Sequence, residues 1–210
     1  MGSGGAALRL RRAVHNNSVW CDTVARAHGR ETHSTTACWL CTQPMPPFYP
    51  NLVTIGSNDG AQRVQLDYIE RLLALDLPVG WGIKDSYACL DLAAFGFEIA
   101  LDAQWYAREP APLRATDDAR LVTTTRSGDP SVRSMSAPDS GAGLDASGSG
   151  DTIGIYNLVG PPDGVVACLA AVVQASPNAT LVGWGDNVEL ANLAPFGFRA
   201  LGPLRVWLRR

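Results

Sequence analysis

Between Ala61 and Leu77 the apolar side chains recur at helical spacing. Val64, Tyr68, Ile69, Leu72 and Leu73 share one face, while Arg63, Asp67, Glu70 and Arg71 form i,i+4 charge pairs on the other. Pro78 ends the segment. Just upstream, Leu52–Ile55 is a short apolar run broken by Gly56-Ser57-Asn58-Asp59-Gly60, the pattern of a strand and its turn. A strand through Trp81, a helix near Ala88–Ala94 and a strand over Phe97–Arg108 are predicted next. The same order returns further along. Ile153–Val159 reads as a strand, Asp163 as an N-cap, and Val165–Ala175 as an almost wholly apolar helix stopped by Ser176-Pro177. Leu181–Trp184 is a strand, Glu189–Ala194 a short helix, and Leu204–Leu208 alternates as a closing strand. Strands alternating with helices imply an α/β sheet carrying helices on its faces.

The two passages share more than their order. Val79-Gly80-Trp81-Gly82 recurs as Val182-Gly183-Trp184-Gly185, an offset of 103. Phe95-Gly96-Phe97 recurs as Phe196-Gly197-Phe198 at 101, Trp105 as Trp207 at 102, and Asn51-Leu52-Val53 as Asn157-Leu158-Val159 at 106. Four markers in one order at nearly constant spacing read as an internal duplication into two half-repeats. Between them, 18 of the 25 residues from Ser127 to Asp151 are Ser, Gly, Asp or Pro. Such a stretch predicts a disordered linker. The expected organisation is therefore residues 1–126 as an N-terminal segment plus the first half-repeat, 127–151 as linker, and 152–210 as the second half-repeat. The last part is too short for a core of its own, so both halves are expected to share one.

Composition narrows the classes without naming a function. The chain has 210 residues, 46% hydrophobic and 18% charged, with a net charge of −3. That apolar share excludes a wholly disordered chain, and the charge offers no positive field for nucleic acid or an anionic membrane. No run approaches the apolar length of a membrane span, and the N-terminus lacks a signal-peptide core, so a cytoplasmic location is expected. Lys84 is the one lysine among 17 basic residues, a bias of codon usage rather than of phosphate recognition. Five cysteines, an odd count, predict free thiols.

The tail Asp186-Asn187 … Ala194-Pro195-Phe196-Gly197-Phe198-Arg199-Ala200-Leu201-Gly202 resembles the end of the GNAT superfamily of N-acetyltransferases, where a helix leads through a Gly-Phe turn to the last strand. Asn16–Cys21, Pro46–Pro50 and Lys84-Asp85-Ser86 are similar to a GNAT-like group with two related halves. The resemblance implies a GNAT-like mixed sheet with helices on its faces, acetyl-CoA entering between two splayed strands, and a small-molecule or peptide amine as acceptor. On that footing Tyr156, Asn157, Leu158, Val159, Gly160 and Gly164 are the candidate cofactor-binding residues. Helix N-termini suit a pyrophosphate because their N–H groups are free. Here Pro161 and Pro162 remove two such donors and Asp163 adds a negative charge. The tyrosine that many of these enzymes place four residues before the Gly of Gly-Phe is replaced by Leu193, and by Leu92 in the first copy. An acyl-CoA-dependent N-acyltransferase and a catalytically silent module that binds a small ligand or a protein partner are both consistent with these departures.

Lys84-Asp85-Ser86 follows a strand at a place where α/β sheets open a ligand crevice. Asp85 is the candidate catalytic base, with Lys84 and Ser86 as substrate contacts. The competing reading has Asp85 or Ser86 capping the next helix. Cys21, His28, His33, Cys38 and Cys41 lie close in sequence and include one CxxC pair. A lone CxxC is a weak signal for zinc or redox chemistry, so the cluster reads as partly buried thiols. The Trp residues next to Gly read as core, and Arg9, Arg11 and Arg12 as a solvated face.

Overall fold

The computed structural model describes residues 3–114, 122–125, 132–149 and 151–210. Helix α1 (Ser3–Ala27) is followed by strands β1 (Thr32–Ser34), β2 (Cys38–Cys41) and β3 (Leu52–Thr54), helix α2 (Asp59–Leu73), and strands β4 (Gly82–Asp85) and β5 (Phe97–Arg108). Then come β6 (Val122–Thr125), β7 (Val132–Ala137), β8 (Ala142–Ser149) and β9 (Thr152–Val159). Helix α3 (Pro162–Ala175), β10 (Thr180–Gly185), helix α4 (Asn187–Leu193) and β11 (Arg199–Arg209) complete the chain. Among the described residues no helix is long and apolar enough to cross a membrane.

The chain divides into two compact units, one of residues 17–104 and 202–210, the other of residues 1–16 and 105–201. In the first, β1, β2 and β3 pair antiparallel, β3 and β4 parallel, and β4 pairs antiparallel with the end of β11. Leu52, Ile83, Leu92, Phe97 and Trp207 build its core with Ile69 and Leu72 of α2. The Asn58 side chain caps α2 by accepting from the Ala61 amide at 2.9 Å. The helix expected near Ala88–Ala94 is reduced to a 3-10 turn at Ala93–Phe95. Ala88 takes a left-handed backbone, φ +50°, which a helix cannot contain.

The second unit holds β10 and β9 as a parallel pair, with β9, β8, β7 and β6 antiparallel in succession. Here the linker expectation is corrected over 132–149, which forms β7 and β8; residues 127–131 and 150 lie outside the described residues. Sparse apolar residues carry these strands. Met135, Ala137, Ala142, Leu144 and Ala146 are buried against Leu169 and Val172 of α3. Their small polar neighbours pack on the strands' other face, where Ser134 donates to Asp145. Asp163 is not the cap of α3: Pro161 occupies that position with no side-chain bond, and Pro162 opens the helix. In α1, Arg9 pairs with Glu109 at 3.0 Å and Arg12 with Asp151 at 2.8 Å, so two of the three arginines read as solvated carry ion-pair partners.

The same device precedes both β5 and β11. A 3-10 turn ends on a left-handed glycine, Gly96 (φ +76°) or Gly197 (φ +92°), and the next residue is a buried Phe97 or Phe198. A side chain at either glycine would be strained in that conformation.

Candidate functional site

The second unit contains a cleft where two parallel strands part. β9 and β10 are joined through Thr152–Thr180, Ile153–Leu181 and Gly154–Val182, and among the described residues the ladder ends there. β9 continues to Val159 and β10 to Gly185. A bulge accompanies the parting. The β8–β9 register shifts between Gly143 and Asp145, and Asn157 takes a left-handed backbone with φ +53°. Its side-chain amide donates to Asp145 at 2.8 Å, which holds the bulged residue in place.

The cleft has a volume of about 290 Å³ and is lined by Leu158 and Gly160 of the β9 end, Pro162 and Val165 of α3, and Glu189 and Leu193 of α4. Its one-sided chemistry follows from how α4 is set. Asp186 caps the helix by accepting from the Glu189 amide at 2.7 Å, and this places Glu189 in the first turn facing β10. Beneath it, the Tyr106 hydroxyl donates to the Glu189 carboxylate at 2.6 Å. Two glycines of β10 make this possible. A Cβ at Gly183 would lie 2.5 Å from the Tyr106 ring, and one at Gly185 would lie 2.3 Å from the Glu189 carboxylate. Phe198 supports the tyrosine edge-on at 5.5 Å.

Burial raises the carboxyl of Glu189 above its ordinary range; the Tyr106 hydrogen bond opposes that shift and the Asp186 charge adds to it. Burial, then the Glu189 charge, pushes the Tyr106 hydroxyl well above 10, so the proton stays on the phenol. The pair therefore presents a carboxylate to the cleft with one oxygen already held.

Of the residues expected at the cofactor, Leu158 and Gly160 line this cleft. Val159 is exposed, and Gly164 is packed in the first turn of α3 against Ser140 and Ala142. Tyr156 is buried and its hydroxyl donates to Asn16. Lys84, Asp85 and Ser86 belong to the other unit and are all buried. Lys84 donates to the Asn17 side chain at 3.0 Å. The Asp85 carboxylate accepts from the amides of Leu90 at 2.8 Å and Tyr87 at 3.3 Å, as a turn-holding side chain does. The Ser86 amide donates to Thr54 at 2.7 Å. Cys21, Cys38 and Cys41 are buried free thiols, and burial pushes Cys21 up to about 11. Among the described residues no three His, Cys, Asp or Glu side chains converge as a metal site.

Tyr106 and Glu189 were absent from the expected set. The spacing Asp186-x-x-Glu189 carried a signal, since it is a capping pattern that fixes where Glu189 begins the helix. Gly183 and Gly185, two apart on a strand, point to large neighbours on one face.

No family model matches this sequence, and no curated protein matches it. Solved structures do match its fold. A functionally unknown conserved protein from Staphylococcus epidermidis superposes with a TM-score of 0.62 at 10% identity, over 86% of this chain and 94% of its own. A GCN5-related N-acetyltransferase from Kribbella flavida gives 0.58 at 10% identity, over 94% and 95%. A GNAT-family protein from Novosphingobium aromaticivorans gives 0.54 at 9% identity, over 85% and 91%. The fold is GNAT-like: an open mixed sheet with helices packed on it.

Proposed function

We propose that this protein is an acyl-CoA-dependent N-acyltransferase whose thioester lies in the cleft between β9 and β10. The parting of these parallel strands past Gly154 and Val182 carries the reading, because it opens a largely apolar slot between two strand edges. A pantetheine arm has amides to pair with such an edge and a narrow apolar body. The backbone of Leu158 and Gly160 would hold it, with acetyl-CoA the simplest donor. The amine lone pair then forms the C–N bond, the C–S pair leaves with sulfur, and one N–H proton ends on the thiolate. Holding the two reactants together supplies much of the rate, since orientation replaces a bimolecular encounter. The hydrogen bonds of Asp85 support a role in holding its own turn.

A second reading has a specific observation behind it. Leu193 occupies the cleft wall where a proton donor is customary, and the loop entering α3 lacks two N–H groups at Pro161 and Pro162. A silent module that binds a small ligand or a partner through the same cleft accommodates both facts. Calorimetric titration with acetyl-CoA, followed by thiol release across an amine panel, separates the readings. Micromolar binding, about −8 kcal/mol, with thiol release establishes transfer. A folded protein that gives no heat at two temperatures is the silent module.

The matching device before β5 and β11 supports an origin by duplication, with Gly96-Phe97 and Gly197-Phe198 as its markers.

A further inference from the structure

We infer that Glu189 is the amine-recognition residue of the cleft, taking an N–H of a primary alkylamine onto its carboxylate, with Tyr106 as its positioning residue. The inference rests on the reading of an amine acceptor, and it names the atoms that meet that amine.

Three observations carry it. First, Glu189 lines the cleft, whereas the Tyr106 hydroxyl that holds it is fully buried. One carboxylate oxygen is engaged at 2.6 Å, which fixes the group and leaves acceptor capacity toward the cleft. Second, among the described residues no Lys, Arg or His lines the cleft and no ion pair involves Glu189. A cationic or N–H-rich group beside Glu189 would supply the missing partner, whereas an anionic group at that same spot would be repelled by Glu189 and Asp186. Third, Asp186 and Asn192 are the other polar side chains of the lining, and most of the rest is apolar, with Leu158, Val165, Val166, Leu193 and Phe196. They suit an alkyl body behind the nitrogen. Gly183 and Gly185 leave the room the pair needs, so the arrangement is built into the strand and does not depend on a surface side chain.

The experiment uses the full chain and two probes of equal length, n-hexylamine and 1-hexanol, titrated by calorimetry. Acetyl-CoA is titrated in parallel. Binding of hexylamine with hexanol at least about tenfold weaker is expected, as for a hydrogen bond to a charged group. Glu189→Gln keeps an oxygen for Tyr106 and removes the charge, so it should abolish that preference at an unchanged melting temperature. Tyr106→Phe should weaken hexylamine while leaving the preference for amine over alcohol. Equal binding of the two probes by the unaltered protein, or no binding of hexylamine, overturns the inference without recourse to any variant. So does a folded Glu189→Gln protein that still prefers the amine. Hexylamine binding with no heat from acetyl-CoA defeats acyl transfer and leaves the Glu189 assignment standing. Heat from acetyl-CoA without an amine preference does the reverse.

Discussion

Tyr106 on β5 reaches Glu189 on α4 because Gly183, on the strand beside them, has no side chain. The 2.6 Å hydrogen bond and the 2.5 Å that a Gly183 Cβ would leave to the tyrosine ring are two descriptions of one packing fact. A tyrosine ring sunk into a well-packed wall can move only if the wall moves.

The two glycines should therefore fail differently. Gly183→Ala drives a methyl into a buried aromatic ring held by Phe198, and overpacking of that kind costs about 1–3 kcal/mol. Gly185→Ala meets the far end of the Glu189 side chain, which can swing away. Denaturant unfolding should show a clear loss of stability for the first and a smaller one for the second. Hexylamine binding should fall in Gly185→Ala although the protein stays folded.

Asp85 gives a second prediction. Its carboxylate satisfies the Leu90 amide in a buried setting, so Asp85→Ala strands a donor and should cost about 1–3 kcal/mol. Thermal melts should register that loss. The heat of acetyl-CoA titration should be unchanged in the folded variant, and a selective loss of it would instead make Asp85 part of the site.

The hydrophobic pattern revealed α2 and α3 because the first buries a single face and the second nearly everything it has; β5 was legible as an apolar-rich run although much of its first half is exposed. It revealed nothing of β7 and β8, where Ser and Gly are as numerous as the apolar anchors. Composition averages over a window, whereas burial is decided residue by residue: Met135 and Leu144 find α3, and Ser134 finds Asp145. The cleft's strand end was legible in Leu158 and Gly160. Its polar wall was not, since Tyr106 and Glu189 stand 83 positions apart and only tertiary packing makes them a pair.

Lys84 supplies a pH prediction with a definite sign. Full burial lowers its amine from 10.5 to about 8, partly offset by Cys21. Above pH 8 the folded chain gives up a proton that the unfolded chain keeps, so this residue's contribution rises with pH up to about 10.5. A displacement of this size corresponds to about 3 kcal/mol. Cys21 and Cys89, both pushed up to about 11, act in the opposite sense between about pH 9 and 11. The stability difference between the native protein and Lys84→Met removes their share. Measured by urea unfolding, that difference should move in favour of the native lysine as pH climbs from 8 to 10, and a flat difference would contradict the assignment.

Asn157 tests whether the bulge and the cleft are one device. Its left-handed backbone is tolerable for Asn, and its amide bond to Asp145 at 2.8 Å secures the extra residue on β9. Asn157→Gly keeps the conformation and loses the bond; Asn157→Val loses both and adds a β-branched clash. Destabilisation should be about 1 kcal/mol for glycine and larger, about 1–3 kcal/mol, for valine. If the bulge sets where β9 leaves β10, the valine variant should also bind acetyl-CoA and hexylamine more weakly than its loss of stability explains, because Leu158 and Gly160 follow the bulge directly. A valine variant that is destabilised yet binds both ligands as before would separate the bulge from the cleft.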